Sequence, residues 1–205
     1  TQGICHDSSS DEIGSCVVLQ AARVVIGSSF IPSSSIERVD QITAGNKIMA
    51  KLEKKVALIS GASRGIGKAI ALALAKEGAS LYLIAEETEE ELQAVCSDCR
   101  NSHDSVVANY GLMELSDTDA GRRMVEACLS QFGRVDILVN NAGVRRRADF
   151  GDFTQDDYEF TQAVNIRTPF FACQTALTAM REQGSGRIIN ITSQMGSVAF
   201  DGLSL

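Results

Sequence analysis

From Lys55 onward, short apolar runs alternate with longer segments of helical period, and a chain built that way folds as βα units around a parallel sheet. Val56 to Ser60, Leu81 to Ala85, Ser105 to Asn109, Val135 to Asn140 and Arg187 to Thr192 read as five strands. The fourth is apolar almost throughout, as a strand covered on both faces must be. Between the strands the pattern predicts helices over Gly65 to Glu77, Thr88 to about Cys99, Asp117 to Phe132 and Thr154 to about Glu182. Ile66, Ile70, Leu72 and Leu74 are expected on or near the inner face of the first helix. The expected fold class is α/β, a doubly wound parallel sheet in three layers with helices on both faces.

Residues 1–48 have a different texture. They hold nine serines and no sustained helical or strand period. They read as a poorly ordered leader or a non-native extension, with Met49 as the expected native start and the folded domain over 49–205. Acidic Asp7, Asp11 and Glu12 stand where a signal or transit peptide carries basic residues, and the apolar run Cys16 to Gly27 is broken by Gln20 and Arg23. No segment approaches the ~20 apolar residues of a membrane span.

A net charge of −7 leaves no broad basic surface, so neither nucleic acid nor an anionic membrane is an expected partner. The six cysteines lack the dense spacing of a secreted scaffold and read as free thiols of a cytoplasmic protein. Cys96 and Cys99 form a C-x-x-C without a second pair downstream, and no metal site is expected.

The strongest local signal is Ser60-Gly61-Ala62-Ser63-Arg64-Gly65-Ile66-Gly67, set between the first strand and the first helix. A glycine turn there lets backbone N–H groups and the positive end of a helix meet a pyrophosphate. The flanking strand and helix supply the context that a glycine pattern needs.

The G-x-x-x-G-x-G spacing resembles the nucleotide motif of the short-chain dehydrogenase/reductase family, and the resemblance continues through the chain. Asp136-Ile137-Leu138-Val139-Asn140-Asn141-Ala142-Gly143 is similar to the family's N-N-A-G segment. Val164-Asn165-Ile166 resembles the helix motif of the catalytic asparagine, and Gly186 to Ser193 resembles the strand that delivers the catalytic serine. The wording of the glycine turn is similar to that of acyl-carrier-protein ketoreductases. The resemblance implies a Rossmann-like domain, incomplete at its carboxyl end, and a hydride transfer between nicotinamide and a carbonyl or secondary alcohol. It places Asn165 and Ser193 in catalysis. Gly61, Ser63, Arg64, Gly65, Ile66, Gly67, Glu86, Glu114, Leu115, Asn141, Ala142, Gly143 and Ile191 fall at the cofactor, and Val144, Arg145 and Met195 at the substrate. It also implies a homodimer or homotetramer for the complete protein.

Two of these positions carry a physical argument of their own. Ser193 follows the carboxyl end of a strand, where open α/β sheets place ligands, and its hydroxyl can bond a reacting oxygen. Pro169 stands four residues after Asn165 and cannot donate to its carbonyl, so the helix should bend there and leave that carbonyl for a water of the family's proton relay. The family's Y-x-x-x-K pair does not occur. Tyr82, Tyr110 and Tyr158 each have a glutamate or glutamine four residues on. By the family's spacing the tyrosine is expected immediately after Leu205, so the 205 residues are expected not to turn over. The alternative is a non-catalytic dinucleotide-binding or interaction module ending near Leu205, and the codons that follow Leu205 discriminate the two.

Cofactor choice between NAD and NADP turns on one corner. Arg64 could meet a 2′-phosphate, but Glu86, Glu87, Glu89, Glu90 and Glu91 crowd the same place and repel it, which tilts the balance to NAD. The glutamate run also fits a helix N-terminus that favours carboxylates. Glu114-Leu115 stands where the family has Asp and an apolar residue at the adenine. Val144-Arg145-Arg146-Arg147 reads either as a clamp for an anionic substrate or as a solvated loop or subunit contact.

Overall fold

In the computed structural model the described residues are 19–20, 50–86, 89–193 and 202. Strands β1 (Leu19–Gln20), β2 (Val56–Ser60), β3 (Ser80–Ala85), β4 (Ala108–Leu112), β5 (Ile137–Asn140) and β6 (Arg187–Ile191) form one sheet in the order β1-β6-β5-β2-β3-β4. The five strands from β2 to β6 pair in parallel. The short β1, in a stretch where no strand is expected from the sequence, pairs antiparallel with β6, Leu19 opposite Ile191 and Gln20 opposite Asn190. The rest of 1–49, with Cys5 and Cys16, lies outside the described residues.

Helices α1 (Gly65–Lys76) and α2 (Glu89–Ser102) cover one face, where Ile59, Leu81, Leu83 and Val139 pack against Ala71, Leu92 and Val95. Helices α3 (Ala120–Phe132) and α5 (Thr168–Glu182) cover the other, where Leu58, Ile84 and Leu138 meet Met124, Val125, Ala172 and Ala176. Three sequence expectations are corrected here. The third strand runs three residues later than expected, because Val106 closes a turn on the His103 carbonyl and pairing with Leu81 begins at Ala108. Gly67, Ala71 and Ala75 are the buried residues of α1, with Ile70, Leu72 and Leu74 partly buried and packed against the same core as expected; Ile66 departs from the expectation and is 42% exposed. Small residues let this helix approach the glycine turn at backbone distance.

The long helix expected over 154–182 is helical from Gln155 to Glu182, but it changes winding midway. Thr154 opens α4 (Gln155–Gln162) with a capping box, its Oγ1 accepting from the Asp157 N–H at 3.1 Å while the Asp157 carboxylate accepts from Thr154 N. A π turn, Ala163–Arg167, then precedes α5. Where a proline kink was expected the backbone instead widens, the Thr168 N–H reaching back five residues to the Ala163 carbonyl, with Pro169 in the first turn of α5. The widening accommodates Pro169, which has no N–H to donate, inside a helix that runs on from the π turn into α5.

At the amino ends of the strands, buried Asp136 binds Lys55 Nζ at 3.1 Å, Arg134 Nε and Nη2 each at 2.7 Å, and the Val56 N–H at 3.0 Å. Burial pushes this carboxyl upward, but the donors from Arg134, Val56 and Lys55 outweigh it and hold it below the ordinary carboxylate value. A depressed folded value means that the stabilisation is complete above the unfolded value of about 3.9 and disappears as pH falls through the folded one. Asp136→Ala is therefore expected to lower stability by about 3 kcal/mol at neutral pH in urea titrations, with the gap to the parent narrowing toward acid.

Candidate functional site

The carboxyl ends of β2 and β5 face the point where the chain parts to opposite sides of the sheet, β3 on one flank and β6 on the other. Crevices of this kind are where open α/β sheets bind ligands. A cleft of about 280 Å³ lies there, lined by Gly61, Ser63, Arg64, Ala85, Glu86, Leu115, Asn141, Ala142, Gly143, Val144 and Val164. Eight of the thirteen expected cofactor residues, together with Val144, therefore share one wall. Ala85 and Val164 are additions. Val164 was recognisable only as the neighbour of Asn165.

The floor is an interlock between the glycine turn and the segment after β5. Ser60 Oγ accepts from the N–H groups of both Asn141 and Ala142 at 3.1 Å. Asn141 Nδ2 donates back to the carbonyls of Ser60 and Gly61 at 3.0 Å. Gly61 has a positive φ of 66°, and a Cβ there would lie 2.9 Å from Ala142 Cα. A Cβ on Gly67 would lie 2.1 Å from the Gly61 carbonyl oxygen. The cradle thus exists only with glycine at both positions. Arg64 precedes α1 without a side-chain cap, so the first-turn N–H groups remain open to an anion. Ile66 points away, exposed, and Gly65 serves the turn through its φ of 55°.

One end of the cleft is acidic. Glu114 folds back on its own chain, accepting from Ser116 N at 3.0 Å and Ser116 Oγ at 2.6 Å. Hydrogen bonds from Glu86 first, then from Ser116, hold its carboxyl below the ordinary range. It stands behind Glu86 and Leu115 rather than in the wall.

The other end is fixed by Asn165. Its Oδ1 accepts from Val144 N and its Nδ2 donates to Val144 O, both at 2.8 Å, so one amide holds both polar groups of one residue. The sequence points to the backbone carbonyl of Asn165 and carries no signal for this side-chain clip. Beyond Ala142, a second cavity of about 340 Å³ is bounded by Asn165, Pro169, Ile191 and Thr192. Ile191 therefore belongs to that cavity and not to the first. Ser193 is exposed, two residues past β6, and Met195 lies outside the described residues. Arg146 lies 4.6 Å over the Phe160 ring and 3.5 Å from Asp157, whereas Arg145 is exposed on the same loop.

Burial pushes the Cys96 thiol up and carries Cys99 to about 12, consistent with packing rather than reactivity. Among the described residues no group of three His, Cys, Asp or Glu side chains is placed to hold a metal ion.

A parallel sheet with a glycine cradle and an uncapped helix at its switch point defines a dinucleotide-binding α/β domain of Rossmann type. A family model described as short chain dehydrogenase matches residues 55–205, and the chain belongs to the short-chain dehydrogenase/reductase family. It is 37% identical over 153 residues to D-threitol dehydrogenase of Mycolicibacterium smegmatis, covering 74% of this chain and 57% of that protein. It is 34% identical over 149 residues to the 3-oxoacyl-[acyl-carrier-protein] reductase FabG of Staphylococcus aureus, covering 72% and 59%. A metagenomic short-chain oxidoreductase solved with NADP superposes with a TM-score of 0.70 at 33% identity, covering 75% of this chain and 69% of that one. The chain spans somewhat under three fifths of the length of these two curated relatives.

Replacing Ser60 by alanine leaves two N–H groups without an acceptor at little change in volume. The expected cost is about 2 kcal/mol in urea unfolding, and Ser60→Thr, which keeps the oxygen, should recover most of it.

Proposed function

We propose that this domain is the cofactor-binding part of an NAD(P)-dependent oxidoreductase acting on a carbonyl or secondary alcohol. The observation that carries the reading is the cradle of Gly61 and Gly67 beneath an uncapped α1, a space that a single Cβ would close. In this reading the α1 N-terminus and the glycine turn bind a pyrophosphate, and Glu86 accepts the hydroxyls of the adenosine ribose. Asn165 holds the Val144 peptide as the wall beside the reacting end, and its own carbonyl holds a water. The Ser193 hydroxyl bonds the reacting oxygen and stabilises charge as it develops. A bound nicotinamide would supply the hydride acceptor or donor. Arg145, exposed at the rim, is the side chain placed to meet an anionic group on a substrate.

The acid pair at the adenosine end supports NAD as the cofactor. A 2′-phosphate there would meet the negative charge that Glu114 keeps while Glu86 donates a proton to it, and like charges at that range repel. Because the sequence has no tryptophan, NADH fluorescence reports binding without interference. The expected dissociation constant for NADH is about tenfold below that for NADPH, and Glu86→Ser should shrink that ratio.

The alternative is a non-catalytic dinucleotide-binding module. No tyrosine is followed four residues later by lysine, so these residues offer no such pair to exchange the hydroxyl proton. The two readings agree on binding and differ on turnover by the full-length gene product, measured as absorbance change at the nicotinamide.

Residues Ile166 and Phe170, one helical turn apart, are 59% and 62% exposed, and Tyr158 continues the apolar stripe on α4 at 52%. We assign this stripe to contact with a second copy, giving a homodimer or homotetramer. Phe170→Glu is expected to yield monomers in sedimentation. The free thiols fit a cytoplasmic location, and among the described residues no helix is long and apolar enough to cross a membrane.

A further inference from the structure

The wall at the adenosine end is a loop, 113–119, between β4 and α3, and what holds its middle comes from a distant part of the chain. The Met113 N–H bonds the Ala85 carbonyl at the loop's start. Its end is set by α3, where Gly121 approaches so closely that a Cβ would lie 2.2 Å from the Thr168 carbonyl oxygen. Between these points the carbonyls of Leu115 and Ser116 are taken by two consecutive residues at the seam between the π turn and α5. Thr168 Oγ1 donates to the Leu115 carbonyl at 2.7 Å, both residues being 4% exposed. Arg167 Nη2 donates to the Ser116 carbonyl. Ser116 in turn carries Glu114, and Leu115 lines the cleft.

We infer that Thr168 and Arg167 are positioning residues for the adenosine half of the dinucleotide, acting through Leu115 and Glu114. This inference rests on the dinucleotide-binding reading above and adds to it residues that touch no ligand. The seam lies three residues from Asn165, which clips Val144 at the opposite end of the cleft, and Val164 of the same π turn lines the space between them. One widened turn thereby sets both walls of the cleft, and π turns recur at functional sites for such local re-aiming of side chains. Arg167 is not explained as a stabiliser alone. Among the described residues its Nε is buried without a partner, a cost to the fold, so its reach to Ser116 is the interaction that its position provides.

The test compares the 205-residue chain with Thr168→Val, Thr168→Ser and Arg167→Met, titrated with NADH, ADP and nicotinamide mononucleotide by calorimetry or fluorescence. Thr168→Val removes only the donor, and it is expected to weaken NADH and ADP by a common factor of about tenfold while leaving nicotinamide mononucleotide unchanged. Thr168→Ser should restore both to within about twofold, which a loss of packing would not do. Should Thr168→Val not fold, as judged by circular dichroism, Arg167→Met is read in the same way. Equal affinity of parent and folded variant for ADP overturns the inference, as does equal weakening of all three ligands, the mark of general loosening. Failure of the parent chain to bind any of them overturns the dinucleotide reading itself, and this inference with it.

Discussion

The architecture of the cleft depends on the interlock between Ser60 and Asn141. Strands β2 and β5 are neighbours in the sheet but lie some eighty residues apart in the chain, and they end at the point where their successors diverge. Adjacent strands ending at such a place leave backbone N–H and C=O groups without ladder partners, at a cost if buried. Here Ser60 Oγ takes two of the N–H groups and Asn141 Nδ2 takes two of the carbonyls. The polar requirements of both strand ends are met between the two segments. The surface above them stays concave, because Gly61 and Gly67 add no Cβ to fill it.

A similar device recurs at both ends of α5. Gln183, just past α5, brackets Val135, accepting from its N–H at 3.1 Å and donating to its carbonyl at 2.9 Å, as Asn165 brackets Val144 before α5. One amide therefore ties the chain on each side of β5 to each end of one helix. A helix held only by apolar contacts through Ala172 and Ala176 could slide at small cost, since apolar burial has little direction. Paired amide bonds at both ends remove that freedom and transmit the position of the helix to the cleft wall.

Much of this was legible in the sequence because it rests on periodicity and on glycine. The five parallel strands and the glycine turn follow from apolar runs and from backbone that must come close. What was not legible depends on tertiary geometry. The buried residues of α1 are Gly67, Ala71 and Ala75, and no hydrophobicity count would rank them above Ile66, because closeness of approach, not apolarity, selected them. The strand at Ala108–Leu112 starts later than its apolar lead-in suggests, because the Val106 N–H is taken by the His103 carbonyl and Val107 contributes only its carbonyl to the β3 backbone, at Leu81. Pro169 marked the change of winding in the long helix correctly, yet a missing donor does not say whether the backbone kinks or widens. The roles of Thr168 and Arg167 lie in bonds to residues more than fifty positions earlier, for which a single sequence offers no signal.

Charge is divided along the strands in a way that separates stability from binding. At the amino ends Asp136 is enclosed by Lys55, Arg134 and the Val56 N–H, a buried carboxylate whose donors are all supplied by the protein. At the carboxyl ends the opposite holds, since the first turn of α1 lacks a side-chain cap and Glu86 and Glu114 share one acidic corner. A fold held only at its functional end would have to satisfy those groups internally and so close the cleft. Because the sheet is anchored at Asp136 and along its two apolar faces, the cleft end can leave helix donors and carboxylates poised for a ligand.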